Sequence, residues 1–172
     1  SSIENSLRDT VGIIIAASGN EKRWSIRNYI KVIQFLKEKN YKNFLIISGL
    51  DQSKEEELIS ENFKDTVDIT FTADKKINDV IPYLKRCKFC IGNDTGFSHL
   101  SVNLDIETIV IQGDCPPQTY SKLLKHIDIE PDVTRSSTSI HTIKAEKVLD
   151  ELSNFLNRRG GRVVEGARLE SV

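Results

Sequence analysis

Short runs rich in β-branched residues alternate along this chain with longer stretches whose apolar side chains recur every three or four positions. The run VGIIIAA (11–17) is continuously apolar and predicts a strand buried on both faces, closed by Ser-Gly-Asn. After it Ile26, Tyr29, Ile30, Ile33 and Leu36 fall at helical spacing, with Ser25 placed to cap the start. NFLIISG (43–49) predicts a second strand, and Ser53-Lys54-Glu55-Glu56 carries a capping-box signature for a helix bearing Leu58 and Ile59. VDITFT (67–72) predicts a third, half-exposed strand. A helix follows with Ile77, Val80, Ile81 and Leu84 on one face and Pro82 assigned near its first turn, where a missing amide hydrogen costs least. KFCIG (88–92) predicts strand four, leading directly into a helix from about 96 to 103, and ETIVIQG (107–113) predicts strand five. A helix over roughly 119–125 and a terminal helix over 143–157, stopped by Gly160-Gly161, complete the pattern.

Strand–helix alternation with short links implies an α/β fold: a Rossmann-like parallel sheet with right-handed crossover helices on both faces. Ligands bind such sheets at the carboxyl ends of the strands, which selects the loops 17–24, 49–54 and 92–96.

Composition narrows the partners. A length of 172 residues suits one ordinary domain, and 24 Lys plus Arg against 25 Asp plus Glu argues against a dedicated nucleic-acid binder. No apolar run approaches the roughly 18 residues a membrane span needs, and the opening SSIENSLRDT lacks a signal peptide's apolar core, so a cytoplasmic location is expected. Cys87, Cys90 and Cys115 are an odd, sparse set suited to a reducing compartment. Cys87 and Cys90 have C-x-x-C spacing, but they lack a second pair and lead into a strand, which favours two buried thiols over a redox or zinc site. The chain contains no methionine and ends in the aperiodic, Gly- and Arg-rich RRGGRVVEGARLESV. It therefore reads as a folded domain over 1–157, excised from a longer protein, with a flexible tail over 158–172 appended as an expression scar.

The segment IGNDTGFSHL (91–100) gathers two glycines, an acid, an amide, two hydroxyls and His99 between two apolar runs. A strand ending at Gly92 and a helix starting near Gly96 would leave the amides of Thr95, Gly96 and Phe97 unpaired, an anion site reinforced by the helix dipole. Gly96 admits an oxyanion without a β-carbon in the way, and the Thr95 hydroxyl adds a donor. His99 stands one turn on, while Asp94, repulsive to a phosphate, is expected to cap the helix, orient His99 or accept from a hydroxyl. In the first loop Ser18 is a second hydroxyl donor, and Lys22 and Arg23 bring positive charge to the same edge. Read as residues alone, the same pattern also fits a capped strand-to-helix turn beside a solvated basic loop. Phosphoryl transfer by a P-loop is disfavoured by the absence of G-x-x-x-x-G-K-[ST], and dinucleotide binding by the absence of G-x-G-x-x-G after strand one. No cluster has metal-ligand spacing, and TGFSH is not the elbow of a serine hydrolase.

SGNEKRW after strand one, SGLDQSKEEE after strand two and CKFCIGNDTGFSHLSVNLDIETIVIQGDCPPQ, taken together over residues 11–157, resemble the C-terminal half of the family-nine glycosyltransferases, the lipopolysaccharide heptosyltransferases. The resemblance implies one half of a GT-B architecture, holding a nucleotide diphospho-sugar, commonly ADP-heptose, for inverting transfer to a lipopolysaccharide-type, lipid-linked saccharide acceptor. It implies that Ser18, Lys22, Thr95 and Gly96 bind the donor diphosphate, and that Asp94 and His99 line the sugar-diphosphate region. Glu56 would meet the ribose, with Lys75 and Ile77 near the base. Ala17 departs from a family position that often carries a hydroxyl, and Lys75 from one that is apolar, which puts one diphosphate contact and the adenine preference in doubt. The general base belongs to the family's N-terminal domain, so the resemblance implies no catalytic residue in this chain. The isolated polypeptide would be inactive, and neither a metal nor another cofactor would be needed. Peripheral attachment at the inner membrane would fall to a full-length enzyme. A non-catalytic nucleotide-binding or interaction module of the same fold is the alternative.

Overall fold

The computed structural model describes residues 9–118 and 120–170, with 161–170 as backbone only. Six strands, β1 (Thr10–Ile14), β2 (Asn43–Ile47), β3 (Asp68–Phe71), β4 (Cys87–Asn93), β5 (Glu107–Ile111) and β6 (Leu124–Ile127), form one sheet in the order β3-β2-β1-β4-β5-β6. Every neighbouring pair is parallel. The strand order reverses between β1 and β4, which makes their carboxyl ends the topological switch point where such sheets hold ligands. The helices are α1 (Ile26–Glu38), α2 (Ser53–Phe63), α3 (Ile77–Leu84), α4 (Gly96–Asn103) and α5 (Ala145–Glu170).

The alternation within each strand sorts side chains into two cores. Val11, Ile13, Phe44, Ile46, Phe89 and Ile91 point to one face, where Tyr29, Val32, Ile33 and Leu36 of α1, Ile59 and Phe63 of α2, and Val148, Leu152 and Phe155 of α5 cover them. Ile14, Leu45, Ile47 and Cys90 point to the other, under Val80 and Leu84 of α3 and Phe97 and Leu100 of α4. Each fully buried Ile, Leu or Phe contributes about 1.5–3 kcal/mol, so the larger core dominates. Cys87 and Cys90 are free thiols buried in the smaller core, and neighbouring Cys87 together with burial pushes the Cys90 thiol well above its ordinary pKa.

Several expectations need correcting. The helix expected over 119–125 does not form across 120–125: Leu124–Ile127 is an edge strand whose register runs from Thr108↔Leu124 to Ile111↔Ile127, a long-range pairing that local spacing does not encode; Thr119 lies outside the described residues. Pro82 sits in the last turn of α3, where the hydrogen bond it forgoes would have ended on the carbonyl of exposed, solvated Asn78. Neither Ser25 nor Ser53 caps a helix through its side chain. Glu56 accepts instead from the Ser48 hydroxyl at 2.6 Å. Gly160-Gly161 do not stop the last helix, which continues to Glu170, so the segment expected as a flexible tail is helical as far as it is described; Ser171 and Val172 lie outside the described residues. A glycine stop works through a left-handed residue, and no described glycine is left-handed. Asn40, Asp65 and Asp105 take that conformation, just past the ends of α1, α2 and α4.

Candidate functional site

Asn93, the last residue of β4, organises the switch point. Its side chain is fully buried: Oδ1 accepts from the Trp24 amide at 3.1 Å and the Tyr29 hydroxyl at 2.7 Å, while Nδ2 donates to the Ile15 carbonyl at 3.0 Å. Gln52 donates to the same carbonyl at 2.9 Å and accepts from the Gly49 amide at 2.8 Å. Two amide side chains therefore hold the loops after β1, β2 and β4 in one arrangement. Burial pushes the Tyr29 phenol well above its ordinary pKa, so it stays a donor to Asn93.

The first loop turns through a short 3-10 segment at Asn20–Lys22 and is braced by Arg23. Its guanidinium donates to the Ala17 carbonyl at 3.0 Å, to Asn20 at 3.1 Å and to the Asp51 carboxylate at 2.9 Å; the hydrogen bonds from Arg23 hold the Asp51 carboxyl below its usual range. Arg23 thus bridges loops rather than offering free charge. Asn20, Arg23, Trp24, Ser25, Gln52 and Glu55 line an open pocket of about 330 Å³ at this edge, and Ser18, Lys22, Thr95 and Gly96 are not among its lining residues. Trp24 is buried and donates its indole N–H to the Ile143 carbonyl at 2.7 Å.

Lys22 and Asp114 form an ion pair at 3.7 Å. β4 lies between β1 and β5 in the sheet, so a contact between the loops after β1 and β5 must pass over the carboxyl end of β4. The loop that carries Lys22 and the mouth formed by Asp94, Thr95 and Gly96 thus follow neighbouring strands at the same edge of the sheet. Ser18, on the same loop, is exposed.

At that mouth the helix start differs from expectation. Thr95 and Ser98 form a capping box: the Thr95 hydroxyl accepts from the Phe97 amide at 3.0 Å, and the Ser98 hydroxyl accepts from the Thr95 amide at 2.8 Å. Two of the three amides expected to be unpaired are satisfied within the helix. The Gly96 amide takes no part in that box and stands at the positive end of α4, and a β-carbon added at Gly96 would meet nothing within 4 Å. The Thr95 hydroxyl proton also stays available. Gly92 has a different origin, because its added β-carbon would lie 2.2 Å from the Ile14 carbonyl oxygen, so it is glycine for strand packing.

Asp94 does not cap the helix. Its Oδ1 accepts from His99 Nε2 at 3.0 Å and its Oδ2 from Gln112 Nε2 at 3.1 Å, so the carboxylate orients His99 and is itself held by the end of β5. His99 Nδ1 meets the Tyr120 hydroxyl at 2.5 Å. Gln112, Asp114 and Tyr120 were given no role from the sequence, Asn93 was counted there only as an amide of the loop, and Arg23 was read as a source of free charge rather than as a brace. Only an amide at a strand's end, as at positions 93 and 112, could have signalled any of them. The β5 loop is fixed in turn by Arg135, which donates to the Gly113 and Cys115 carbonyls at 3.2 and 3.0 Å and pairs two-pronged with Asp128. Arg135 holds the Asp128 carboxyl below its usual range.

Glu56 stands on α2, after β2, while Lys75 and Ile77 follow β3, and no contact links Glu56 to the other two among the described residues. Glu56 is half-buried beside Ser48, the Lys75 ammonium lies 5.4 Å from the centre of the Tyr83 ring, and Ile77 is 56% exposed. Among the described residues no three His, Cys, Asp or Glu side chains cluster to hold a metal, and no helix is long and apolar enough to cross a membrane.

Comparison with curated protein sequences finds no match. The fold is similar to the E. coli heptosyltransferase WaaC with ADP (TM-score 0.71, 19% identity, covering 85% of this chain and 44% of that one) and to E. coli ADP-heptose lps heptosyltransferase II (0.73, 18%, 93% and 53%). It is also similar to a glycosyl transferase family 9 protein from Veillonella parvula (0.73, 16%, 87% and 46%). The chain spans about half the length of these structures. The family model for glycosyltransferase family 9 (heptosyltransferase) matches residues 3–147, most of the chain; the protein belongs to that family.

Proposed function

We propose that this chain is the donor-binding unit of a glycosyltransferase and that its switch point takes the diphosphate of a nucleotide sugar. The observation that carries the reading is the start of α4 at Gly96 directly after β4, at the switch point, with open space where a β-carbon would stand; in this reading Lys22, on the loop after β1, supplies the cation. Thr95 supplies a further hydroxyl donor there, and Ser18 one from the facing loop. The open space beside Gly96 is what a close-approaching oxyanion needs.

The donor in this reading is ADP-heptose. WaaC was solved with ADP and with ADP-2-deoxy-2-fluoro heptose, and this chain shares its fold and its family. The diphosphate would rest between Lys22 and Gly96, with the ribose toward Glu56 and the base toward Lys75 and Ile77. In the reaction an acceptor hydroxyl, deprotonated by a base outside this chain, attacks the anomeric carbon with inversion and displaces ADP. The contribution of this chain is to hold the leaving diphosphate among Lys22, the Gly96 amide, the Thr95 hydroxyl and the α4 dipole, which stabilise the charge that grows as the glycosidic bond breaks. The acceptor is a lipopolysaccharide-type saccharide on the cytoplasmic side of a membrane.

Isothermal titration of this chain with ADP, UDP and GDP tests the reading. Saturable heat with ADP, strongly reduced in Lys22→Ala, is the expected result. Absence of heat for all three nucleotides at millimolar concentration would overturn it.

A further inference from the structure

The loop after β5 reaches across to the His99 imidazole in a way that the donor-site reading leaves unused. Tyr120 bonds His99 Nδ1 at 2.5 Å, and the two rings stack at 5.6 Å with 28° between their planes. On its other side the imidazole meets the Asp94 carboxylate, whose second oxygen is fixed by buried Gln112. A carboxylate only accepts, so Nε2 must carry the ring proton of neutral His99. Nδ1 is then a bare lone pair, and the only proton for that 2.5 Å contact is the one on the Tyr120 hydroxyl.

We propose that Tyr120 is a positioning residue for His99: its hydroxyl donates to Nδ1 and, with Asp94, fixes the imidazole in the Nε2–H tautomer and in one ring orientation. His99 held this way keeps both nitrogens engaged and offers no proton to a phosphate, so the positive charge at the site comes from Lys22 and the α4 terminus. The Tyr120 phenol is pushed above its ordinary pKa by burial and by the Asp94 charge, which keeps its proton in place for the bond. Together with the Gln112–Asp94 bond, this bond ties the loop after β5 to the start of α4. Tyr120 itself stays half exposed, free to present the outer face of its ring to whatever sugar follows the diphosphate.

Only the second of two measurements rests on the donor-site reading. In the first, the full chain is labelled with 15N-histidine and recorded at a pH where the imidazole is neutral. His99 should show a protonated Nε2 and an unprotonated Nδ1, and Tyr120→Phe, which keeps the stacked ring, should move the Nδ1 resonance and mix the tautomers. A protonated Nδ1 in the unmodified protein, or unchanged shifts in Tyr120→Phe, would overturn the proposal. In the second, ADP titration of Tyr120→Phe should show weaker binding, because a loosened His99 no longer helps to hold Asp94 and the start of α4 in place, and that loss should vanish in a His99→Ala background. An equal loss in both backgrounds would mean that Tyr120 touches the ligand directly, against the proposal. If ADP does not bind at all, the donor-site reading fails while the tautomer still decides the role of Tyr120.

Discussion

The Tyr29 hydroxyl, on α1, donates to the Asn93 side chain, at the end of β4, across 2.7 Å of fully buried space. This bond joins the helix after β1 to the strand that carries the candidate site, and Asn93 has no water to fall back on if its partners are removed. Replacing a buried acceptor while leaving its donors behind costs their full desolvation, whereas removing one hydroxyl costs a single net bond. Tyr29→Phe should therefore lower unfolding free energy by about 1 kcal/mol and Asn93→Leu by about 2–4 kcal/mol, because the latter strands the Tyr29 hydroxyl and the Trp24 amide. Urea unfolding of both variants checks the ordering.

The two glycines flanking Asn93-Asp94-Thr95 should behave oppositely. Gly92→Ala drives a methyl group against the β1 backbone and should destabilise by about 3 kcal/mol or more, or prevent folding. Gly96→Ala meets open space at the first helical position and should leave the melting temperature unchanged or slightly raised. The same variant should weaken ADP binding by about tenfold, because its methyl group occupies the approach to that amide. Thermal melts beside titrations separate the two effects.

Asp114 competes with any anion for Lys22. Both side chains are partly exposed, so the pair adds little to stability. Lys22→Ala should cut ADP affinity by about tenfold or more, a charge-assisted bond's worth, with little change in melting temperature. Asp114→Asn should raise ADP affinity, about twofold to threefold at low salt, with the gain shrinking as salt screens the pair. A titration series at two ionic strengths reads both.

Acid should loosen the β5 loop through Asp128. Its folded pKa is held below the unfolded value of about 3.9, so its stabilising contribution is present above that pH and is lost as pH falls through the folded value. Asp128→Asn should therefore melt at lower temperature than the unmodified protein at neutral pH, with the gap closing below about pH 4. Melting curves from pH 7 down to pH 3 follow it.

The first five strands, the helices that follow the first four of them and the start of the last helix could be read from the chain: apolar or alternating runs marked the strands, and three-to-four spacing or a capping signature marked most of the helices. The parallel order follows from the short links between them, and α4 began where its glycine and hydroxyl residues indicated. β6 was not legible. Its four residues become a strand only by pairing with β5, and their local spacing suits a helix equally well. The end of α5 was not legible either, since a glycine pair stops a helix only if the chain turns left-handed there.

By itself the sequence placed Lys22, Asp94, Thr95, Gly96 and His99 at one edge of the sheet, because loop position follows from the order of strands and helices. Tertiary structure decided what each of these side chains is bonded to. Thr95 and Ser98 close the helix start on themselves, Asp94 turns to His99 and Gln112, and Arg23 bridges to Asp51. Tyr120 reaches His99 from 21 residues along the chain, and Asp114 reaches Lys22 from much farther. Hydrogen bonds depend on distance in space, and sequence spacing fixes that distance only within a turn or a helix.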